Sequence, residues 1–268
     1  RWPSIHGSLR GNMPHISFSE LRNWKQCPFY HKLTYVDRIA GFVGNEFTAF
    51  GRAIHDSCEK LLLEGDDGKM YGFFINKFEK EIETLLKKEV DLKQDLVDKM
   101  VVQGENLLPS ILPGIKEYFE EFEVISTEEQ LMVPLEDVEG YKFKGFVDLV
   151  IKTPDDKYHI IDWKTCSWGW DSRKRSDPMV TYQLTLYKHY FAKKHGVDPK
   201  KIETHFALLK RTAKKNNVEL FRVTSGPRKT ENALNLLLKA VYNISKKRFI
   251  KNRLACKNCE FYKTEHCP

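Results

Sequence analysis

The residues best suited to chemistry lie between Gly145 and Lys164, in GFVDLVIKTPDDKYHIIDWK. Two apolar, β-branched arms flank TPDDK, a turn sequence, so the stretch predicts a β-hairpin. With the turn centred on Asp155, Asp148 falls directly opposite Asp162. Like charges facing each other across a strand pair destabilise a sheet, and a divalent cation between them is the simplest compensation. Lys164 stands two residues past Asp162, so strand alternation puts both on one face. Phe146 and Val150 neighbour Asp148 on that face, and Ile160 neighbours Asp162. Carboxylates in apolar surroundings are costly unless paired or bound to metal. Two carboxylates and an amine at one spot suit phosphoryl chemistry: a metal holds the phosphate and the lysine steadies developing charge.

The surrounding elements must position this hairpin. Ser17 can cap a helix over 17–35, with Glu20 three residues on and Leu21, Trp24 and Leu33 at helical spacing, interrupted at Pro28. A second helix, about 47–64, carries the stripe Phe47, Phe50, Ile54, Cys58, Leu61 and Leu62. Further helices are expected at about 69–90, 93–108 and 111–123, broken by Pro109 and Pro113. Period-two patterning then predicts strands at 129–136, 141–152 and 158–165. After a polar, turn-rich stretch come a helix over 178–195, strands at 203–211 and 217–224, and a helix over 228–249. That order describes an α/β domain with a helical N-terminal insertion.

Composition narrows the class. The 268 residues are 41% hydrophobic and 12% aromatic, as in globular proteins. No apolar run approaches the roughly 18 residues of a membrane span. The first residues lack the apolar core of a signal peptide, so no membrane association and a cytoplasmic, intracellular location are expected. Met13 is a candidate start, and residues 1–15 are expected to be a tail ahead of one domain. Net charge is +7, but residues 200–268 hold 17 Lys/Arg against 5 Glu and no Asp. A basic C-terminal third on a near-neutral body points to a polyanionic partner. Arg173, Lys174 and Arg175 follow Trp168 and Trp170, a combination suited to a single strand with stacked bases. Lys210, Arg211, Lys214 and Lys215 form a second basic turn; Lys246, Lys247, Arg248, Lys251 and Arg253 form a third. Such groups contact phosphates without reading sequence.

Two weaker features complete a pattern. His55 lies on the second helix in GRAIHDSCE, with Gly51 one turn before it to allow close approach of another element. Gln183 and Tyr187 share a face of a later helix at i, i+4. In order, Gly51–His55, an acidic residue leading a strand (Glu128 or Glu129), Gly145–Asp148, Asp162–Lys164 and Gln183–Tyr187 resemble the RecB-like branch of the PD-(D/E)XK nucleases. The opening SFSELRNWKQCPFYHKLTYV is also similar to that branch, so the resemblance runs from about residue 16 onward.

The resemblance implies a restriction-endonuclease-like core: a central mixed sheet flanked by helices, here with a helical N-terminal insertion. It implies one nuclease domain over 16–268, with a helical part at about 46–123, a catalytic core at about 124–249 and a cysteine-containing tail at 250–268. His55, Asp148, Asp162 and the backbone carbonyl of Trp163 are then expected metal ligands. Lys164 would position water or stabilise the transition state, and Gln183 and Tyr187 would support the site. Glu128 and Glu129 both fit the acidic position, with spacing slightly favouring Glu128. Oxygen ligands plus one imidazole suit Mg²⁺ or Mn²⁺.

Six cysteines occur, and Cys256-x₂-Cys259-x₇-Cys267 has metal-like spacing. Some members of this branch, including AddB-type and CRISPR-associated nucleases, hold a [4Fe–4S] cluster with one cysteine before the core and three after it. Cys27 stands at the matching early position. Iron–sulfur, zinc and no ligand all stay open, since the last gap is longer than the usual pattern. Cys58 and Cys166 are assigned to core or loop. The expected activity is a metal-dependent deoxyribonuclease, foremost an exonuclease on single-stranded or duplex linear ends, in replication, recombination or repair. A structure-specific endonuclease and a non-catalytic DNA-binding protein are the alternatives. A helicase or recombination partner, and the oligomeric state, stay open.

Overall fold

The computed structural model describes residues 14–268. Residues 1–13, which include the candidate start at Met13, lie outside the described residues. The remainder of the expected tail is not a tail: His15–Ser17 forms a short strand, β1.

The hairpin is the centre of the fold. Its arms are β3 (Lys142–Thr153) and β4 (Lys157–Cys166), antiparallel in the expected register, with Leu149 opposite Ile161 and Thr153 opposite Lys157. β2 (Glu123–Pro134) pairs along the other edge of β3 and begins six residues before its expected start, because a register shift between Val124 and Ser126 breaks the alternation. β5 (Ile202–Lys210) runs parallel to β4, and β6 (Val218–Val223) closes the far edge antiparallel to β5. Among the described residues these six strands make one mixed sheet.

β1 and β4 share one edge of β3. β1 takes Lys142–Lys144 and the β4 ladder begins at Leu149. Neither strand pairs with the positions between, 145–148, which are the GFVD motif. The sheet therefore forks at Asp148, and a fork is where side chains from two strands can converge.

Each face of the sheet carries a helical layer. On one, α1 (Phe18–Gln26), α7 (Pro178–His195) and α8 (Pro227–Ser245) bury Val150, Ile160, Phe206 and Leu208. On the other, α3 (Glu46–Glu64), α4 (Met70–Lys87) and α5 (Gln94–Phe119) bury Leu149, Ile161, Trp163 and Leu209. The helices start where their caps require. Ser17 accepts the Glu20 N–H at 3.1 Å, and Asn45 and Thr48 form a reciprocal capping box on α3. Asp177 caps α7 with Pro178 in its first turn.

The helix over 17–35 is interrupted before Pro28 as expected: α1 ends at Gln26, α2 (Pro28–His31) follows, and a π-type turn closes the segment at Lys32–Val36. Two other expectations are corrected. The two helices expected around Pro109 and Pro113 are one helix, α5, which carries both prolines inside it. Each proline forfeits a backbone hydrogen bond, but Leu107, Leu108, Ile111 and Ile115 bury one continuous face across them. Phe47 is 45% exposed rather than core, and the Arg211 guanidinium covers its ring at 4.9 Å.

Candidate active site

The fork brings the two aspartates into one cleft. The β3–β4 ladder stops one pair short of them, and Asp148 Oδ2 instead accepts the Trp163 N–H at 2.7 Å. Asp162 is buried, 2% exposed. Its Oδ1 accepts from Gln183 Nε2 at 3.0 Å, and the same amide donates to the Tyr187 hydroxyl at 3.2 Å. Lys164 Nζ lies 2.6 Å from Asp162 Oδ2, out of line for a hydrogen bond, and no other donor reaches that oxygen. Gln183 and Tyr187 therefore do meet the hairpin from α7, as their shared helix face allows. Gly145 makes room for this: a Cβ there would fall 2.8 Å from the Tyr187 ring.

From the other layer, α3 delivers His55, whose Nδ1 is 3.9 Å from Asp148 Oδ2. Gly51 lets α3 come close, since a Cβ there would lie 3.3 Å from Thr165 Oγ1. Burial pushes the His55 imidazole down to about 4, against the pull of Asp162 and of the Trp163 backbone. The ring is thus neutral at physiological pH and carries a lone pair for a ligand. Burial, then the charge of Asp162, pushes the Asp148 carboxyl well above the usual carboxylate range.

Glu128 and Glu129 have different surroundings. Glu129 is held by Ser126 at 2.6 Å, Lys194 at 2.7 Å and His195 at 2.5 Å, which keep its carboxyl ionised against burial. Glu128 sits at φ 46°, level with Asp148 in the β2–β3 register. Its carboxyl is raised by burial and by Glu59, Asp56 and Asp162. Glu59 and Asp56 were missed from sequence, although Glu59 is one turn beyond His55 on α3 and shares its face.

The donor set fits a hard divalent cation. Asp162 Oδ2 is buried with a vacant lone pair, Asp148 is a second carboxylate whose ionisation is disfavoured without a cation, and His55 is a neutral nitrogen. Mn²⁺ tolerates the nitrogen better than Mg²⁺.

Some basic residues are already engaged. Arg211 donates to Gln103 at 2.9 Å and Ser167 at 2.7 Å, which ties the β5–β6 turn to α5 and to the end of β4. Arg175 and Lys210 both pair with Glu219. Arg173, Lys214 and Lys215 are exposed, and Lys174 lies 4.5 Å over the Trp170 ring. Trp170 packs on Phe206 and Phe221, whereas Trp168 is 76% exposed. The stretch expected to be a loop includes a short helix, α6 (Ser172–Ser176), capped by Asp171.

At the chain's far end, the 250–268 tail docks on α1 and α2. Phe29 N–H donates to the Ile250 carbonyl at 3.2 Å, Asn252 Nδ2 to the Gln26 carbonyl at 2.8 Å, and Tyr30 to Glu260 at 2.7 Å. Cys27, Cys256, Cys259 and Cys267 line one pocket there. Among the described residues, no three of their sulfurs lie within 4.8 Å of one another. A tetrahedral zinc site with Zn–S bonds of about 2.3 Å holds its sulfurs nearer together than that. Cys58 is core, and Cys166 is half-buried at the end of β4.

The family model of the PD-(D/E)XK nuclease superfamily matches residues 15–268. The chain belongs to that superfamily. The crystal structure of a "Putative exonuclease" from Eubacterium rectale is similar in fold, with a TM-score of 0.62 at 14% identity, covering 96% of this chain and 91% of that one. The crystal structure of SSO0001 is less alike, with a TM-score of 0.41 at 15% identity over 96% of this chain and 86% of that one. No curated protein matches. The mixed sheet and its flanking helices are thus those of a PD-(D/E)XK fold. Among the described residues, no helix is long and apolar enough to cross a membrane.

Proposed function

We propose that the chain is a Mg²⁺- or Mn²⁺-dependent deoxyribonuclease that degrades linear DNA from its ends. The observation that carries this reading is the buried Asp162 oxygen with no hydrogen-bond donor, set beside Lys164 and within electrostatic reach of Asp148. Membership of a nuclease superfamily gives that arrangement its chemistry. His55, Asp148, Asp162 and the Trp163 carbonyl would hold the cation. When bound, it polarises the scissile phosphate and makes hydroxide available near neutral pH.

The chain's own groups supply the rest. Gln183 holds Asp162 by one oxygen and leaves the other turned to the cleft. Tyr187 steadies Gln183 and stays protonated, because burial and the two aspartates push its hydroxyl up. Lys164 puts a positive charge where the phosphate's charge develops. Glu128 stands at the lip of the cleft as a further proton acceptor. The exonuclease description of the Eubacterium rectale neighbour supports end-directed cleavage here. The four cysteines would hold an iron–sulfur group that fastens the tail to the first helices; all four thiols line one pocket, which fits thiolate ligation.

The test is incubation of end-labelled single- and double-stranded linear DNA, beside a closed circle, with Mg²⁺, Mn²⁺ or EDTA. Metal-dependent loss of the linear forms alone, abolished by Asp162→Ala, is expected. A cut circle would make the protein an endonuclease. DNA binding without cleavage in any lane would make it a binding protein on a nuclease fold. Absorbance near ~400 nm in an anaerobic preparation, absent from Cys256→Ser, reads the iron–sulfur proposal separately.

A further inference from the structure

On the sheet face opposite Asp162, three ligand-type side chains converge at the start of β4 and β5. His159 Nδ1 lies 3.0 Å from His205 Nε2 and 3.8 Å from Glu203 Oε2. Among the described residues, this is the one group of three His, Cys, Asp or Glu ligand atoms lying within 4.8 Å of one another. Strand geometry produces it. His159 pairs with Glu203 in the parallel ladder, and His205 follows Glu203 by two residues on the same face. Asp162 is three residues beyond His159, so it faces the other way and lies about 10 Å along the strand. The cluster is therefore separate from the nuclease cleft.

Hydrogen bonding assigns the lone pairs. Thr153 has one hydroxyl proton, and its nearest acceptor is Asp155 Oδ1 at 2.5 Å. The Thr153 oxygen, 2.9 Å from His159 Nε2, then accepts the ring proton. That leaves a lone pair on His159 Nδ1, aimed at His205 and Glu203. Without a cation His205 Nε2 donates to that lone pair; when the proton moves to His205 Nδ1, the Tyr118 hydroxyl at 3.4 Å accepts it and the second ring takes the same arrangement. Metal-bound histidines characteristically fix their other ring nitrogen in this way. The Phe119 ring packs against both imidazoles and holds their planes. Lys157 and Arg222 contact Glu203 Oε1, at 3.6 and 3.3 Å, which leaves Oε2 toward the rings. Both histidines are buried, and burial pushes both imidazoles down, so they are neutral as ligation requires.

We propose that His159 Nδ1, His205 Nε2 and Glu203 Oε2 form a second metal site, selective for Zn²⁺ over Mg²⁺. Two imidazoles and one carboxylate are a zinc donor set, and buried nitrogen donors are poor ligands for Mg²⁺. Ring nitrogens 3.0 Å apart need little opening to accept an ion at about 2.0–2.1 Å from each. The site fastens the C-terminal end of α5, through Tyr118 and Phe119, to β4 and β5. Its role is to lock the helical layer onto the sheet.

The experiment is a zinc-binding measurement on the full chain. Chelator-treated wild type, Glu203→Gln and His205→Gln are dialysed against buffered micromolar Zn²⁺. Bound zinc is counted by mass spectrometry of the metal, and thermal unfolding is followed with and without it. The wild type is expected to retain one equivalent more than either variant, whatever the cysteines retain in all three, and to gain several degrees in Tm that the variants do not. Loss of Glu203 should weaken the site at least about 100-fold. Glu203→Gln keeps the size and polarity of a largely buried side chain, so the test stands even where His205→Gln does not fold. Equal zinc in wild type and Glu203→Gln, with equal Tm gain, overturns the proposal and leaves a metal-free hydrogen-bonded histidine pair.

Discussion

Asp162 shows how a residue can be placed against stability. It is buried, hydrogen-bonded on one oxygen only, and within reach of a second carboxylate. Asp162→Asn removes the repulsion and keeps an oxygen for Gln183. The lost partner is Lys164, which is 32% exposed at its side chain and can keep its charge in water. In chelator, the variant is expected to be more stable by about 1 kcal/mol, or a few degrees in Tm. Metal-dependent cleavage is expected to fall at least about 100-fold. A thermal melt beside an activity assay checks both; an Asn variant less stable than wild type would mean that the pair is not strained. His205 gives the pH prediction. Burial, His159 and Arg222 lower its imidazole from 6.5 to about 3, so between these values the unfolded chain binds a proton that the folded chain does not. Stability therefore falls as pH drops from about 6.5 toward 3, by about 1.4 kcal/mol per unit for one such proton. Below the folded value the loss levels off. His205→Gln, measured in chelator by urea unfolding at several pH values, should show a shallower acid slope than wild type.

At the scale of elements, α4 approaches α5 closely at one glycine. Gly104 faces Phe74, and a Cβ there would fall 2.2 Å from the ring. The ring cannot swing aside, because Phe78 stacks on it and Phe50 meets its edge, both at 5.7 Å. Gly104→Ala is expected to cost about 1–3 kcal/mol by overpacking. Phe74→Leu should recover part of that loss in the double variant, and a urea-unfolding cycle measures the coupling. Elements such as these differ in how far the sequence reveals them. The β3–β4 register was readable because a turn signal and two apolar arms pin it from both ends. The α7 boundaries were readable because Asp177-Pro178 and Gly196 mark them by cap chemistry. β1 was not, since three residues hold no period, and its identity comes from pairing with β3. α5 was divided because proline chemistry is local, whereas the buried face that outweighs it is not. His55, Gln183 and Tyr187 carried no signal singly; the site became legible only through their order along the chain. The His159–Glu203–His205 cluster was illegible, because a parallel ladder to a strand more than forty residues away creates it.

For the whole molecule, charge must be read after folding rather than before it. The basic C-terminal third suggests many phosphate contacts, yet Lys210 and Arg211 are spent inside the fold on Glu219, Gln103 and Ser167. Lys214 and Lys215 are exposed on the β5–β6 turn. That turn is tied to the end of the active-site strand, since Arg211 N–H donates to the Cys166 carbonyl at 2.9 Å. A DNA strand leaving the cleft along β4 would pass these lysines. On a single strand each neutralised phosphate contributes about 0.7 to the slope of log affinity against log salt. Lys214→Gln with Lys215→Gln is therefore expected to reduce that slope by about 1.4 and to weaken binding alike for all sequences. Turnover at saturating DNA should be unchanged, because neither lysine belongs to the cleft. An unchanged salt slope would route the strand away from this turn, toward Trp168 and the exposed cations of α6.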